Sequence, residues 1–178
     1  MKSRFKFSRM LMAAPLLVGI LALPAASGAQ ASVASNASLE ETLSWLKSTL
    51  PNVTGASFGG YTLTIFLESA NGCDITLKTG VVSEYYSHPF SEHRTFSLSD
   101  IEPSAVGVRK STKTGPYSVF YGTRGRKRMI RYVNSLDPSN EMWSQGDSVA
   151  YFPNIADAKR VAKALKHAVQ LCANAQPL

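Results

Sequence analysis

The chain has 178 residues, of which 44% are hydrophobic and 17% charged, and its 19 basic residues outnumber its 12 acidic ones. Four of the basic residues lie within the first 31 positions, so the rest of the chain holds 15 basic and 12 acidic residues, a net charge of +3. This mild charge argues against the strong basic footprint of a nucleic-acid-binding domain, and the length suits one domain with a real core.

The first 31 residues have the organisation of an export signal. A basic start precedes an apolar run from Met10 to about Ala26, and small residues at Ala29 and Ala31 form a cleavage pattern. An uncleaved membrane anchor needs roughly 20 apolar residues, whereas prolines and a glycine interrupt this shorter run. We therefore expect export to the periplasm or the cell exterior, with no transmembrane segment after cleavage. The predicted parts are a cleaved signal over 1–31, a disordered leader over 32–37 and a single globular domain over 38–178.

A helix is predicted directly after the leader. Ser38 is a suitable N-cap, and Glu41 three positions later completes a capping box. Pro51 is expected to end the helix. Trp45 lies off the apolar stripe, and we expect it to be partly buried. The stripe recurs at helical spacing and consists of Leu39, Leu43, Leu46 and Leu50.

The pattern then changes to the alternation typical of a β-hairpin. Apolar residues alternate with polar ones over 61–67 and again over 73–79. Asn71 and Gly72 lie between these segments, and both tolerate the positive φ of a tight turn. The sequence therefore predicts two paired strands here.

Further short strands follow, separated by prolines and glycines, which is typical of a barrel or sandwich. The longest polar connection is predicted over 134–147, and Met142 and Trp143 within it are candidates for packing on the body. The predicted strands lie near Val81–Tyr86, Arg94–Leu98, Ala105–Lys110, Tyr117–Tyr121, Lys127–Val133 and Ser148–Phe152.

The final element is an amphipathic helix capped by Asn154, with Asp157 near the positive end of its dipole. Basic residues at Lys159, Lys163 and Lys166 cover an ordinary wet face. The predicted buried face is rich in alanine and consists of Ala158, Val161, Ala162, Leu165, Ala168, Val169 and Cys172.

The two cysteines of the chain are predicted to form a disulfide. Cys73 shares a strand face with Ile75 and Leu77, and Cys172 lies on the buried face of the last helix, so two periodicity arguments direct both sulfurs inward. The alternative is a pair of buried free thiols. A nucleophilic cysteine paired with His167 is disfavoured, because His167 lies on the opposite helix face from Cys172.

The densest charge cluster spans 124–131 and is predicted to occupy a hairpin tip. Guanidinium forks suit phosphate, sulfate or carboxylate groups, so an anionic glycan, an acidic membrane surface or an acidic protein fits this run. The alternative is a solvated tip whose charges prevent edge-to-edge association. The candidate ligand-binding residues are Arg124, Arg126, Lys127, Arg128 and Arg131.

A hydrolytic set can be drawn from Ser91, Glu92, His93 and Asp100, whose side chains suit general acid–base chemistry. The sequence around them lacks a nucleophile elbow. A weak metal site could be drawn from His88, Glu92 and His93, but loop histidines are the simpler interpretation. We therefore assign no catalytic residue, metal or cofactor from the sequence.

The elements together predict an α+β, mostly β fold. It has a curled antiparallel sheet or barrel of about seven or eight strands, a short N-terminal helix and a C-terminal amphipathic helix packed on the sheet. This element order over 55–172 resembles pleckstrin-homology-like domains. That family carries its phosphate-binding basic residues in the first hairpin loop, and the loop here, 69–72, has none, so no site residue is transferred. The signal and the alanine-rich ending also resemble those of exported bacterial proteins.

The favoured function is a non-enzymatic, monomeric binding or scaffolding domain for a protein or an anionic envelope component. The second hypothesis is a small exported hydrolase or metal-assisted enzyme that uses the 88–100 region. A third is an inhibitor of an exported enzyme that presents 134–147 as its loop.

Overall fold

The computed structural model describes residues 36–175, with the side chain of Ala150 excepted. The predicted signal over 1–31 and residues 32–35 of the predicted leader lie outside the described residues. The end of that leader is tied to the body, because the His167 Nε2 atom lies 2.8 Å from the carbonyl oxygen of Ala37.

Helix α1, Leu39–Val53, begins with the predicted capping box. The Glu41 N–H donates to Ser38 Oγ at 3.2 Å, and the Ser38 N–H donates to Glu41 Oε2 at 2.7 Å. The helix continues two residues beyond Pro51, contrary to the expectation that this proline ends it. The disruption that a proline causes in a helix is confined here to the last turn, since only two residues follow Pro51 before α1 ends.

Nine strands form two antiparallel sheets in the described part of the chain, rather than a closed barrel. The large sheet has the order β1-β2-β3-β4-β7-β8, and the small sheet has the order β5-β6-β9. The strands are β1 Ser57–Phe58, β2 Tyr61–Asn71, β3 Asp74–Ser83, β4 Phe90–Ser97, β5 Gly107–Lys110, β6 Tyr117–Gly122, β7 Ile130–Asn134, β8 Asp137–Ser144 and β9 Gly146–Phe152.

The predicted first hairpin is confirmed as the pair β2–β3, in which Asn71 lies opposite Asp74 and Gly72 has a φ of +57°. The strand predicted near Val81–Tyr86 is the end of β3, which closes at Ser83. The predicted loop over 134–147 instead contains β8, an edge strand exposed on both faces, so no burial alternates along it to reveal a strand in the sequence.

Helix α2, Ile155–Asn174, has the predicted cap, since the Asp157 N–H donates to Asn154 Oδ1 at 2.8 Å. All the residues of its predicted buried face are buried, and Ala164 joins them. The helix packs on β5, β6 and α1 and on a short 3₁₀ turn, Leu98–Asp100. The predicted disulfide is confirmed: Cys73 and Cys172 are bonded across 99 positions, with their Cα atoms 5.7 Å apart.

The chain passes between the two sheets three times, because β5, β6 and β9 belong to the small sheet while β4, β7 and β8 belong to the large one. Residues 98–106, 123–129 and 145 make these crossings. The prediction that the basic run occupies a hairpin tip is therefore wrong, because this run connects the two sheets. Strand β6 pairs with β5 and β9, whereas β7 pairs with β4 and β8.

Candidate functional site

The connection between β6 and β7 exposes a concentration of positive charge. We call Arg124–Arg128 the basic loop; it holds four cationic side chains, all exposed: Arg124, Arg126, Lys127 and Arg128. Within the part of the chain that the structure describes, no ion pair involves any of them. Their charge is therefore available to a ligand.

Hydrogen bonds at its base fix the basic loop in position. The Thr123 N–H donates to the carbonyl oxygen of Gln145 at 2.9 Å, and the Met129 N–H donates to that of Ser144 at 3.1 Å. The Thr123 hydroxyl lies 2.5 Å from the Lys127 carbonyl oxygen, inside reach of a hydrogen bond across the loop. Both ends of the basic loop are thus held against the end of β8 and the residue that joins it to β9.

The backbone of the basic loop is strained. Gly125 has a φ of +61° and Arg126 a φ of +54°, and Arg126 is the one residue other than glycine with positive φ among those described. A left-handed conformation costs an L-residue roughly 1–2 kcal/mol. Such strain persists where the surroundings hold it in place, which fits the anchored base, and it is concentrated at functional sites.

Arg131 lies outside the basic loop, on β7. Its Nε is 2.5 Å from Glu141 Oε1 and its Nη2 is 3.1 Å from Glu141 Oε2, a bidentate ion pair across to β8. The hydrogen bond from Arg131 lowers the pKa of Glu141. Of the five candidate ligand-binding residues, the structure therefore groups four and commits Arg131 to a partner within the fold.

The predicted hydrolytic set is divided between the two faces of the large sheet. Glu92 lies on the inner face, where it accepts from Arg94 Nη2 at 3.0 Å, and Ser91 and His93 lie on the outer face, because successive residues of a strand face opposite sides. Asp100 belongs to a 3₁₀ turn after β4. The four residues therefore do not form one site, and no group of three metal-ligating side chains occurs within 36–175.

A different acidic residue completes a relay with Ser91 and His93. Glu68, on β2, has its Oε2 2.9 Å from His93 Nδ1, and His93 Nε2 lies 3.2 Å from Ser91 Oγ. In neutral His93 the carboxylate requires the hydrogen on Nδ1, so Nε2 accepts from the serine hydroxyl. Sequence reasoning missed Glu68 because it is 25 positions from His93 and reaches it only through strand pairing.

A buried ionic cluster links the two sheets. Arg94 on β4 is only 12% exposed, and it donates to Asp147 on β9, to Glu92 and to Thr79. Its guanidinium carbon also lies 5.4 Å from the centre of the Tyr132 ring. Burial raises the pKa of Tyr121, whose hydroxyl has no hydrogen-bond partner among residues 36–175. This cluster is filled by its own side chains, so we assign it a structural role.

Comparisons of the chain with protein families, with curated protein sequences and with solved structures find no match. The resemblance to pleckstrin-homology-like domains therefore stays a prediction. None of the helices within 36–175 has the length and apolarity needed to cross a bilayer.

Proposed function

We propose that this protein is an exported, monomeric, non-enzymatic domain that binds an anionic component of the cell envelope through the basic loop. One observation carries the proposal: four exposed cationic side chains lie on an anchored loop, and no acidic side chain pairs with them among the described residues. Anchoring limits the conformational entropy that these residues lose when a ligand binds.

The chemistry of the basic loop indicates the kind of ligand. Three of its four cations are arginines, and a guanidinium presents donors in a planar fork that matches phosphate, sulfate and carboxylate groups. The remaining cations of the domain are partly neutralised within the fold, as in the pairs Arg94–Asp147 and Arg131–Glu141. The disulfide supports an oxidising compartment, in agreement with the predicted export signal.

Retention on immobilised heparin, a soluble polyanion in its free form, tests this proposal. The double variant Arg126→Glu/Arg128→Glu is expected to elute at a much lower salt concentration than the unchanged mature domain. The matched control is Lys159→Glu/Lys163→Glu, which makes the same change in net charge on the exposed face of α2. Equal loss of retention in both variants would mean that net charge, not the basic loop, drives binding, and the proposal would be wrong.

The relay between Glu68, His93 and Ser91 favours acyl hydrolysis as a second candidate function. Nucleophile, base and orienting acid lie within hydrogen-bond reach in the order that such catalysis needs. As Ser91 Oγ attacks an acyl carbon, its proton passes to His93 Nε2 and then to the leaving group, and water releases the acyl group in a second step. This candidate keeps the serine and histidine of the predicted set and replaces its acids.

Labelling by a fluorophosphonate probe and hydrolysis of p-nitrophenyl acetate test the second candidate. Labelling is expected at Ser91 and is expected to disappear in Ser91→Ala and to fall sharply in His93→Ala. The matched control is Ser97→Ala, a serine on the same strand whose hydroxyl hydrogen-bonds to that of Ser99. Labelling that is absent, or that persists in Ser91→Ala, would exclude a hydrolase of this mechanism.

A further inference from the structure

Two large apolar side chains are exposed at the end of edge strand β8. Met142 is 52% exposed and Trp143 is 50% exposed. Single exposed apolar residues are common on protein surfaces and need no explanation. These two are adjacent, however, and they lie at the end of the strand that leads into the anchor of the basic loop.

Backbone hydrogen bonds place these side chains beside the basic loop. The carbonyl groups of Ser144 and Gln145, which directly follow Trp143, accept the N–H groups of Met129 and Thr123 at 3.1 and 2.9 Å. Met129 and Thr123 flank the basic loop on either side. The exposed tryptophan, the methionine and the four cations therefore emerge from one corner of the domain.

The charges nearest Trp143 do not oppose an anionic ligand. Trp143 lies directly opposite Arg131 in the β7–β8 pair, and Arg131 neutralises Glu141 through its bidentate ion pair. No uncompensated carboxylate is therefore contributed by the strand segment around Trp143. The attraction between the basic loop and an anionic ligand is therefore not weakened by a negative charge of this strand segment beside the two apolar side chains.

We propose that the anionic ligand of the basic loop is the headgroup surface of a lipid bilayer, and that Trp143 and Met142 enter the interface beside the four cations. The inference rests on the proposed function and names its ligand. Tryptophan and basic residues are the side chains that favour the membrane–water interface, where indole rings sit at headgroup level and cations meet anionic lipids.

The geometry of β8 favours a bilayer over a glycan. Met142 and Trp143 are consecutive on a strand, so they face opposite sides of the sheet edge. One sugar ring stacked on the indole would leave the methionine in water. A headgroup layer surrounds a protruding edge from both sides and covers the two residues together.

Tryptophan fluorescence with lipid vesicles tests the inference. The mature chain has two tryptophans, so Trp45→Phe leaves Trp143 as the sole reporter. With vesicles of phosphatidylcholine and phosphatidylglycerol, its emission is expected to shift to the blue and to be quenched by brominated lipid. Vesicles of phosphatidylcholine alone are expected to produce neither change, because they lack the charge that the basic loop requires.

Substitutions separate the two contributions to vesicle binding. Trp143→Ala is expected to lower vesicle partitioning roughly tenfold, because the variant lacks the exposed apolar area that the indole would bury in the bilayer. Its heparin retention is expected to stay unchanged. Leu136 is 54% exposed and lies just before the other end of β8. The control Leu136→Ala is expected to leave partitioning unchanged. Arg126→Glu/Arg128→Glu is expected to lower partitioning by roughly two orders of magnitude at low salt.

The outcomes distinguish failure of this inference from failure of the proposed function. Vesicle binding without a change in Trp143 emission, or heparin retention without vesicle binding, would overturn the bilayer inference and leave a polyanion-binding loop. Vesicle and heparin binding that both survive Arg126→Glu/Arg128→Glu would overturn the proposed function, and with it the inference.

Discussion

Replacing Arg94 with methionine is expected to lower the free energy of unfolding by about 3–5 kcal/mol. The side chain is 12% exposed and lies between two carboxylates, Asp147 at 25% and Glu92 at 19% exposure. Methionine fills much of the same volume but leaves both carboxylates shielded from water without their cation. Because all three groups are well below one-third exposed, solvent screening relieves little of this penalty.

The size of the loss follows from what the cluster joins. Glu92 is on β4 in the large sheet and Asp147 is on β9 in the small one, so the stranded charges lie at the contact between the sheets. A domain of this size is stable by only about 5–15 kcal/mol. The loss of a fifth or more of that margin is measurable as a shift of the urea midpoint at constant m-value.

Urea unfolding of the oxidised domain at neutral pH tests this prediction. The triple variant Arg94→Met/Glu92→Gln/Asp147→Asn is expected to recover much of the loss at neutral pH. A loss below about 1 kcal/mol, the level of an exposed pair, would refute the assigned burial of this cluster.

Three further predictions concern the disulfide and the loop region. Replacing Cys73 and Cys172 with alanine is expected to lower the free energy of unfolding by about 4–5 kcal/mol, because the bond closes 99 positions; urea midpoints that agree within error would contradict this. Arg126→Gly is expected to relieve left-handed strain and raise the free energy of unfolding by about 0.5–1 kcal/mol, while it lowers the salt needed for heparin elution; a fall in stability would show that the strain assignment is wrong. Arg131→Gln is expected to leave heparin elution nearly unchanged because Arg131 is engaged by Glu141; a loss as large as that of Arg126→Gln would return Arg131 to the ligand site.

The sequence was most informative for those elements in which the local periodicity of apolar residues marks a single buried face. The buried stripe of α2 and the inward position of Cys73 both follow from local periodicity, and together they predicted the disulfide correctly. The capping residues Ser38 and Asn154 marked the starts of both helices, because a cap depends on residues within one turn.

The features that were missed depend on partners far away in the sequence. Strand β8 has no buried face, so no periodicity reveals it, and Pro138 within it argues against a strand except at an edge. The run 124–131 has the local sequence of a hairpin tip, because neighbouring residues do not record that β6 and β7 belong to different sheets. An arginine such as Arg94 is expected at the protein surface when its local sequence alone is considered. Its burial is explained by the ion pair with Asp147, which belongs to β9.

The candidate site was thus predicted in composition but not in geometry. The cationic residues of 124–128 are recognisable in the sequence, whereas their anchoring by Thr123 and Met129 to Gln145 and Ser144 requires the fold. The relay on Ser91 and His93 was partly predicted, and its acid, Glu68, was not.

The most direct test of the basic loop as the anion site is NMR mapping of backbone amides during titration with a heparin-derived tetrasaccharide. The largest chemical-shift changes are expected on the amides of 123–129 and of the adjoining residues Ser144 and Gln145, and added salt is expected to reverse them. Shift changes centred on the lysine face of α2, or no changes at all, would contradict an anion site at the basic loop.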